Sequence, residues 1–117
     1  MPTGTVLIIE DEPMVLAVFT VIFKDGPYAV RSATTFQEVL DVLEGLEVPL
    51  VVLVDENFPG GNGAQIAKIL REKIPGVKLI STSSNSDEDI VWDPDARFQK
   101  PVVLKDLVFK VEKLMTA

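Results

Sequence analysis

Residues 50–63 read LVVLVDENFPGGNG, and this stretch decides the fold. Its first five residues are all Val or Leu, which is typical of a strand covered by helices on both faces of a parallel sheet. Asp55 follows this strand directly, and a loop rich in Pro and Gly leads to a helical segment at 62–73. The pattern predicts one βα unit of a parallel sheet, with a carboxylate at the end of its strand.

The same alternation of short apolar runs and helical segments extends over the whole chain. Pro13 is suited to the first turn of a helix, and Thr35 with Glu38 forms a capping box for a second helix. An apolar stripe predicts a last helix through Leu104, Leu107, Val108, Val111, Leu114 and Met115. We expect five strands, at residues 6–9, 28–32, 50–54, 77–81 and 98–99. Together these elements predict an α/β fold on a parallel sheet.

The segment between the fourth and fifth predicted strands is too short for a full helix. Asp93, Pro94 and Asp95 interrupt it, so that residues 87–92 have room for one or two helical turns at most. We therefore expect the fourth helix of the fold to be shortened or irregular.

Length and composition limit the number of domains and the available chemistry. From a chain of 117 residues with 47% hydrophobic residues, we expect a single domain over residues 1–117 and no effector domain. The absence of cysteine and histidine excludes disulfides, thiolate ligands and imidazole ligands or bases. A metal site must then consist of oxygen ligands, which suit Mg²⁺, Mn²⁺ or Ca²⁺.

Charge and hydropathy argue against several classes of partner. The net charge is −7 and the 11 basic residues are scattered, which disfavours a nucleic-acid partner. The apolar runs are too short to span a bilayer, and the first dozen residues are acidic where a signal peptide would be basic. We expect a cytoplasmic protein that binds neither nucleic acid nor membrane.

Charged residues follow three of the predicted strands. Glu10, Asp11 and Glu12 follow the first strand, Asp55 the third, and Lys100 the last. In an open parallel sheet ligands bind outside the carboxyl ends of the strands, so these side chains meet if the first and third strands are neighbours. Carboxylates this close require a divalent cation or an ammonium group among them. A hard Mg²⁺ ion, which also holds substrate phosphates, fits such a site.

Three segments together resemble the receiver domain of response regulators, the CheY-like family of two-component signalling. Residues 6–13 read VLIIEDEP and resemble the acidic-pair motif of that family. Residues 53–63 resemble its phospho-acceptor strand and loop, and Lys100 with Pro101 resembles its Lys-Pro dipeptide, whose peptide bond is commonly cis. The three motifs occur in order at nearly the family's spacing, and the resemblance covers nearly the whole chain.

The resemblance implies a role for each site residue. Asp55 would be the nucleophile that accepts the phosphoryl group, and Lys100 would pair first with its carboxylate and then with the phosphoryl oxygens. The hydroxyl that responds to phosphorylation would be that of Ser81, with Thr82 as the alternative. A Mg²⁺ ion, or Mn²⁺ in its place, would be held by Glu10, Asp11, Asp55 and the backbone carbonyl of Asn57.

The resemblance also implies the fold and the partners. The fold would be a flavodoxin-like, doubly wound, five-stranded parallel sheet of order 2-1-3-4-5 with helices on both faces. A histidine kinase or a histidine phosphotransfer protein would donate the phosphoryl group and dock on the largely apolar first helix. The chain would be a monomer or weak homodimer that catalyses only its own phosphorylation and dephosphorylation. The downstream protein target would bind near strands four and five, where Arg97 occupies the usual place of a switch aromatic and Phe98 follows it.

Three other classes are compatible with parts of the pattern. A hydrolase of the haloacid dehalogenase type also uses an Asp nucleophile and Mg²⁺, but it needs a second Asp where this chain has Asn57. A flavodoxin-like cofactor module would have a loop rich in Ser, Thr and Gly after the first strand, where Glu10 and Glu12 would repel a phosphate. A degenerate receiver that acts as a phosphorylation-independent binding module remains an alternative.

Overall fold

The computed structural model describes residues 2–58, 62–84 and 91–117. The helices and strands follow one another as β1 (Thr5–Ile9), α1 (Pro13–Lys24), β2 (Ala29–Ala33), α2 (Phe36–Val42), a 3₁₀ turn (Leu43–Gly45), β3 (Leu50–Asp55), α3 (Gly63–Lys73), β4 (Lys78–Ser83), β5 (Ala96–Gln99) and α4 (Leu104–Met115). Among the described residues, no helix is both long enough and apolar enough to cross a membrane.

The five strands form one parallel sheet in the order β2-β1-β3-β4-β5. One face carries α2 and α3, whose buried residues pack with Leu7, Val52 and Val54 of the sheet. The other face carries α1 and α4, which pack with Ile8 and Leu53. Alternate residues of each central strand therefore enter two separate cores. This confirms the predicted flavodoxin-like sheet of order 2-1-3-4-5 with helices on both faces.

Side chains cap the N-termini of α2 and α3. The Thr35 hydroxyl accepts from the Glu38 N–H at 3.1 Å, as a capping box requires. The Glu38 carboxylate accepts from the N–H and hydroxyl of Thr34, at 2.6 and 2.8 Å, and it also interacts with the N–H of Thr35. Asn62 is the cap of α3 and not its first residue, because its side chain accepts from the Gln65 N–H at 2.8 Å.

The fourth strand is longer than predicted. It begins at Lys78 and extends to Ser83, whereas the apolar pattern placed its end at Ser81. Its last three residues are all polar, yet they are buried and paired with neighbouring strands. Since side chains alternate between the two faces of a sheet, the pairing of β4 with β3 determines which hydroxyl lies on the same face as Asp55.

The described part of the connection from β4 to β5 contains no helix. Residues 85–90 lie outside the described residues, and so does most of the predicted short helix at 87–92. The following residues, 91–95, are irregular and run along the edge of β4. Asp95 fixes them there, because its N–H donates to the Leu79 carbonyl at 2.8 Å and its carboxylate accepts from the Leu79 N–H at 2.7 Å.

Candidate functional site

The carboxylates of Glu10, Asp11 and Asp55 converge at the carboxyl ends of β1 and β3. Ile9 and Val54 are paired across these two strands, so the next residue of each strand reaches the same point. One carboxylate oxygen from each of the three acids lies within 4.8 Å of the others. Glu10 and Asp55 are both 1% exposed, whereas Asp11 is exposed at the rim. The sequence-based expectation that acids from two strand ends would meet agrees with this geometry.

Lys100 supplies the positive charge among these acids. Its Nζ lies 2.9 Å from Glu10 Oε1 and 3.4 Å from Asp55 Oδ1. Its backbone N–H donates to the Ser83 carbonyl at 2.7 Å, which aligns the end of β5 with that of β4. The Lys100–Pro101 peptide bond is cis. A divalent cation that enters the cluster therefore has to compete with this ammonium group for two carboxylates.

Burial and mutual charge shift the pKa of both partners in this ion pair. Burial raises the pKa of the Glu10 carboxyl above its ordinary value, an effect that the hydrogen bond from Lys100 opposes and the charge of Asp55 reinforces. For Lys100, burial alone would lower the pKa, but the hydrogen bond to Glu10 and the charges of Asp55 and Glu10 outweigh it and raise the pKa. The amine is thus held in its charged form by the two acids that it contacts.

The turn after β3 is organised around Asp55. The Asn57 N–H donates to Asp55 Oδ1 at 3.0 Å, and the Phe58 N–H donates to the Asp55 carbonyl at 3.3 Å. Phe58 is buried in the core beneath the turn. The Asn57 side chain reaches across to β4 and donates to the Ser84 hydroxyl at 2.8 Å. Asn57 therefore lies beside the acidic cluster, as the resemblance implies, and joins the loops that follow β3 and β4.

The two candidate hydroxyls lie on opposite faces of the sheet. Thr82 is the residue of β4 that pairs with Asp55, so its side chain shares the face of the Asp55 carboxylate. Ser81 pairs with Val54 on the other face, and its hydroxyl donates to the Glu56 carboxylate at 3.3 Å. Thr82, the alternative, therefore lies on the same face as the Asp55 carboxylate, whereas the first choice, Ser81, lies on the opposite face. The register of β3 and β4 sets this difference, because neighbouring residues of a strand point to opposite faces.

The remaining loop acid, Glu12, lies outside the cluster. It is exposed, and it approaches the site through its backbone N–H, which donates to Glu10 Oε2 at 3.3 Å. This hydrogen bond helps to hold the buried Glu10 carboxylate in place. Glu12 is not one of the three acids whose carboxylate oxygens lie together.

Sequence reasoning missed two residues next to the site, Glu56 and Trp92. Glu56 follows Asp55, and one of its carboxylate oxygens accepts from the Trp92 indole N–H at 2.7 Å. Burial raises the pKa of the Glu56 carboxyl, although the hydrogen bonds from Trp92 and Ser81 act in the opposite direction. The sequence signal was weak, because an acid after a strand and a lone Trp in a polar segment are each compatible with a simple loop.

An apolar groove opens beside Lys100. It has a volume of about 520 Å³. Met14 and Val18 of α1 line one side, and Lys100, Pro101 and Leu104 line the other. Met14 is 78% exposed at the edge of this groove. Such an exposed apolar surface next to a polar site is typical of a protein contact.

The donor set at the acidic cluster fits a hard divalent cation. Three carboxylates, two of them buried, each have an oxygen within 4.8 Å of the others, and such oxygens are ligands that suit Mg²⁺ or Mn²⁺. The chain contains no histidine or cysteine that could add a softer ligand. The residues present therefore match the ion that the sequence predicted.

Comparison with known proteins identifies the same architecture. The family model of the response regulator receiver domain matches residues 6–110. The TorCAD operon transcriptional regulatory protein TorR of Escherichia coli K12 is 29% identical over 114 residues, which cover 94% of this chain and 49% of TorR. The chain thus spans about half the length of the curated relatives it matches.

Solved structures are similar over nearly the whole chain. A CheY-like receiver domain protein from Methanospirillum hungatei JF-1 has a TM-score of 0.84 and 29% sequence identity, with 95% of this chain and 93% of that chain covered. The response regulator TrrA from Thermotoga maritima, solved in complex with Mg²⁺-BeF, has a TM-score of 0.82 and 24% identity, with 95% and 98% covered. At 24% identity, the similarity to TrrA supports the fold alone.

Proposed function

Because the chain belongs to the response regulator receiver family of two-component systems, we propose that it accepts a phosphoryl group on Asp55 in a Mg²⁺-dependent reaction. The donor is the phosphohistidine of a histidine kinase or of a histidine phosphotransfer protein. The observation that carries this proposal is the position of the Lys100 amine between Glu10 and Asp55, within 3.4 Å of both. One amine and three convergent carboxylates form a charge arrangement suited to a metal ion and a phosphoryl group.

The chemistry follows from these charges. A carboxylate oxygen of Asp55 attacks the phosphorus, the new O–P bond forms as the P–N bond to the donor imidazole breaks, and the imidazole leaves with the bonding electron pair. Phosphoryl transfer depends mainly on in-line positioning and on positive charge at the equatorial oxygens. Lys100 donates to one of these oxygens and Thr82 to another. Glu10, Asp11, Asp55 and the backbone carbonyl of Asn57 would hold the Mg²⁺ ion, which would supply the positive charge for the remaining oxygen.

Thr82 replaces Ser81 in this proposal as the hydroxyl that senses the phosphoryl group. Its pairing with Asp55 across β3 and β4 supports the assignment, and so does the separate engagement of Ser81 with Glu56. A phosphoryl group with three acceptor oxygens attracts a hydroxyl donor on the same face of the sheet. The loop after Ser83 then adjusts, which changes the surface near β4 and β5.

The groove beside Lys100 supports a docking site for the phosphodonor protein. It joins the exposed apolar part of α1 to the amine that contacts Asp55. A partner helix in this groove brings a side chain directly toward the acceptor carboxylate. We assign the chain a cytoplasmic location and a downstream protein target, and it catalyses only its own phosphorylation and dephosphorylation.

The second candidate is a degenerate receiver, which would bind partners without being phosphorylated. The salt bridge from Lys100 to the buried Glu10 is compatible with this alternative, because an ammonium group already neutralises part of the acidic cluster. The two candidates differ in one observable property, which is covalent modification of Asp55.

Intact-mass measurement after incubation with Mg²⁺ and acetyl phosphate tests the proposal. The wild-type chain should gain one phosphoryl group, and Asp55→Asn should gain none. The exposed Asp25 is a matched control, so that Asp25→Asn should be modified like the wild type. Omission of Mg²⁺ should abolish the modification. A wild-type chain that stays unmodified with donor and metal in excess supports the degenerate receiver instead.

A further inference from the structure

Glu56 and Trp92 form a partly buried contact between the acceptor turn and the segment before β5. One oxygen of the Glu56 carboxylate, Oε2, accepts from both the Trp92 indole N–H at 2.7 Å and the Ser81 hydroxyl at 3.3 Å. Gly63, at the start of α3, leaves room for this carboxylate, because a Cβ at that position would collide with it. The carboxylate is therefore enclosed by three elements that are distant in sequence.

Trp92 is fixed by several contacts of different kinds. Its ring packs against the core that includes α3 and lies 5.7 Å from the guanidinium carbon of Arg71. Arg71 also donates to the Asp93 carbonyl at 2.6 Å, and Arg97 of β5 donates to the Trp92 carbonyl at 3.2 Å. Residues 91–95 are thus held through this tryptophan, and Glu56 connects it to the acceptor turn.

The main chain of Glu56 is bound to the phosphorylation site on both sides. Its N–H donates to the Thr82 carbonyl at 2.9 Å, and the next residue, Asn57, donates to Asp55 Oδ1. Asn57 and Lys100 both donate to Asp55 Oδ1. A phosphoryl group on the Asp55 carboxylate changes the charge at this position and the acceptor that is available to both donors. We expect the turn that contains Glu56 to readjust in response. The Glu56 carboxylate then moves relative to the Trp92 indole.

We propose that the Glu56–Trp92 hydrogen bond couples phosphorylation of Asp55 to the conformation of residues 91–95. The inference rests on the proposed function and adds to it the route by which the signal crosses to the α2/α3 face of the sheet. Glu56 acts here as a positioning residue, since it does not touch the transferred group. If the contact couples the two sites, the surroundings of Trp92 change when Asp55 is modified. If the contact is only structural, they stay the same.

The single tryptophan of the chain reports this coupling directly. Its emission is measured before and after addition of Mg²⁺ with acetyl phosphate, and also with beryllofluoride, while intact mass records the phosphoryl group. The wild type should show a shift in emission. Glu56→Ala should lose the shift and still gain the phosphoryl group. Glu56→Gln retains an oxygen acceptor for the indole and should keep the shift, as should Glu47→Ala, a control at an exposed glutamate.

Two results would overturn the coupling and leave the proposed function intact. One is a phosphorylated wild type whose emission is unchanged, and the other is a phosphorylated Glu56→Ala that keeps the full shift. If the mass shows no phosphoryl group and beryllofluoride has no effect, the proposed function fails and the coupling fails with it. Should Glu56→Ala not fold, Trp92→Phe removes the donor and keeps an aromatic ring. Hydrogen exchange of residues 91–95 should then respond to phosphorylation in the wild type and not in that variant.

Discussion

Asp55 and Thr82 lie directly opposite each other in the parallel pairing of β3 and β4. This register predicts that the Thr82 hydroxyl, and not that of Ser81, donates to a phosphoryl group on Asp55. Thr82→Ala removes one hydrogen bond to a charged acceptor, which is worth about 1.5–3 kcal/mol. Calorimetric titration with beryllofluoride in excess Mg²⁺ should show an affinity lowered by roughly ten- to a hundredfold.

Two further variants make this prediction specific. Thr82→Ser keeps the hydroxyl and should bind beryllofluoride almost like the wild type. Ser81→Ala loses a hydrogen bond to Glu56 on the other face of the sheet and should leave the affinity unchanged. A strong loss of affinity in Ser81→Ala together with none in Thr82→Ala would restore Ser81 as the sensing hydroxyl.

The choice between Ser81 and Thr82 illustrates what the sequence alone leaves open. The apolar run of β4 ends at Ile80, and the strand was therefore predicted to end at Ser81, before Thr82 and Ser83. They continue the strand because β3 and β5 provide partners on both sides. A change of one residue in register or strand end moves a side chain to the opposite face.

The acids and Lys100, in contrast, could be predicted because buried strands constrain their ends. A strand such as β3, all of whose residues are buried, has a well-defined end, and Asp55 is its last residue. The contact between Glu56 and Trp92 had no such signal, since both residues lie outside regular structure and their meeting depends on the path of residues 91–95. Composition and periodicity do not determine a path of this kind.

The interaction of Lys100 with Glu10 and Asp55 predicts a stability that depends on Mg²⁺. Lys100→Met leaves two buried carboxylates without their cation and should reduce the free energy of unfolding by about 3 kcal/mol in the presence of a chelator. Mg²⁺ should restore much of this loss, because it neutralises the same acids. Urea unfolding with chelator and with saturating Mg²⁺ measures both effects.

The exposed Lys105 on α4 is the matched control for this experiment. Lys105→Met should leave the stability and its dependence on Mg²⁺ close to those of the wild type. Mg²⁺ should also bind Lys100→Met more tightly than the wild type, since the competing ammonium group is absent. If Lys100→Met and the wild type have equal unfolding free energies in chelator, the ion pair makes no net contribution to stability.

The raised pKa of Glu56 predicts a specific dependence of stability on pH. Burial raises its folded-state pKa above the ordinary value of 4.5, so the folded state favours the neutral carboxyl. Its contribution to stability is fully present below pH 4.5 and is lost as the pH rises through the folded-state pKa. The Gln side chain of Glu56→Gln cannot ionise. The free energy of unfolding of this variant should therefore increase relative to that of the wild type as the pH rises from acid to neutral.

Urea unfolding in chelator over this pH range measures the difference between Glu56→Gln and wild type. The chelator removes any contribution from metal at the neighbouring acids. The relevant quantity is the unfolding free energy of Glu56→Gln minus that of the wild type. A value that stays constant or falls as the pH rises would contradict the assignment of a raised pKa to Glu56.

The close approach of Gly63 to Glu56 predicts an effect of adding a single methyl group. Gly63→Ala places a Cβ against the Glu56 carboxylate and should displace it from Trp92, although Ala suits a helix better than Gly by up to about 1 kcal/mol. Acrylamide should then quench the tryptophan emission more efficiently than in the wild type. Ala64→Gly, at the next position of α3, is a control that should leave the quenching unchanged.

The exposed apolar part of α1 predicts a selective effect on the phosphodonor protein. Met14 lines the groove beside Lys100, and an Asp at this position in the first turn of α1 is compatible with the helix dipole. Met14→Asp should lower kcat/KM for transfer from a histidine phosphotransfer protein by an amount that corresponds to at least about 2 kcal/mol. Its phosphorylation by acetyl phosphate should stay close to that of the wild type, because the small donor needs no docking surface.

Phe109 on α4 provides the matched control for Met14, because it is a second large apolar side chain with 58% exposure and it does not line the groove. Phe109→Asp adds the same charge to the surface and should leave both phosphodonors equally effective. A parallel loss with acetyl phosphate in Met14→Asp would point to damage at the acidic cluster. An equal loss with the protein donor in both variants would assign the effect to net charge, and the groove would no longer be the docking site.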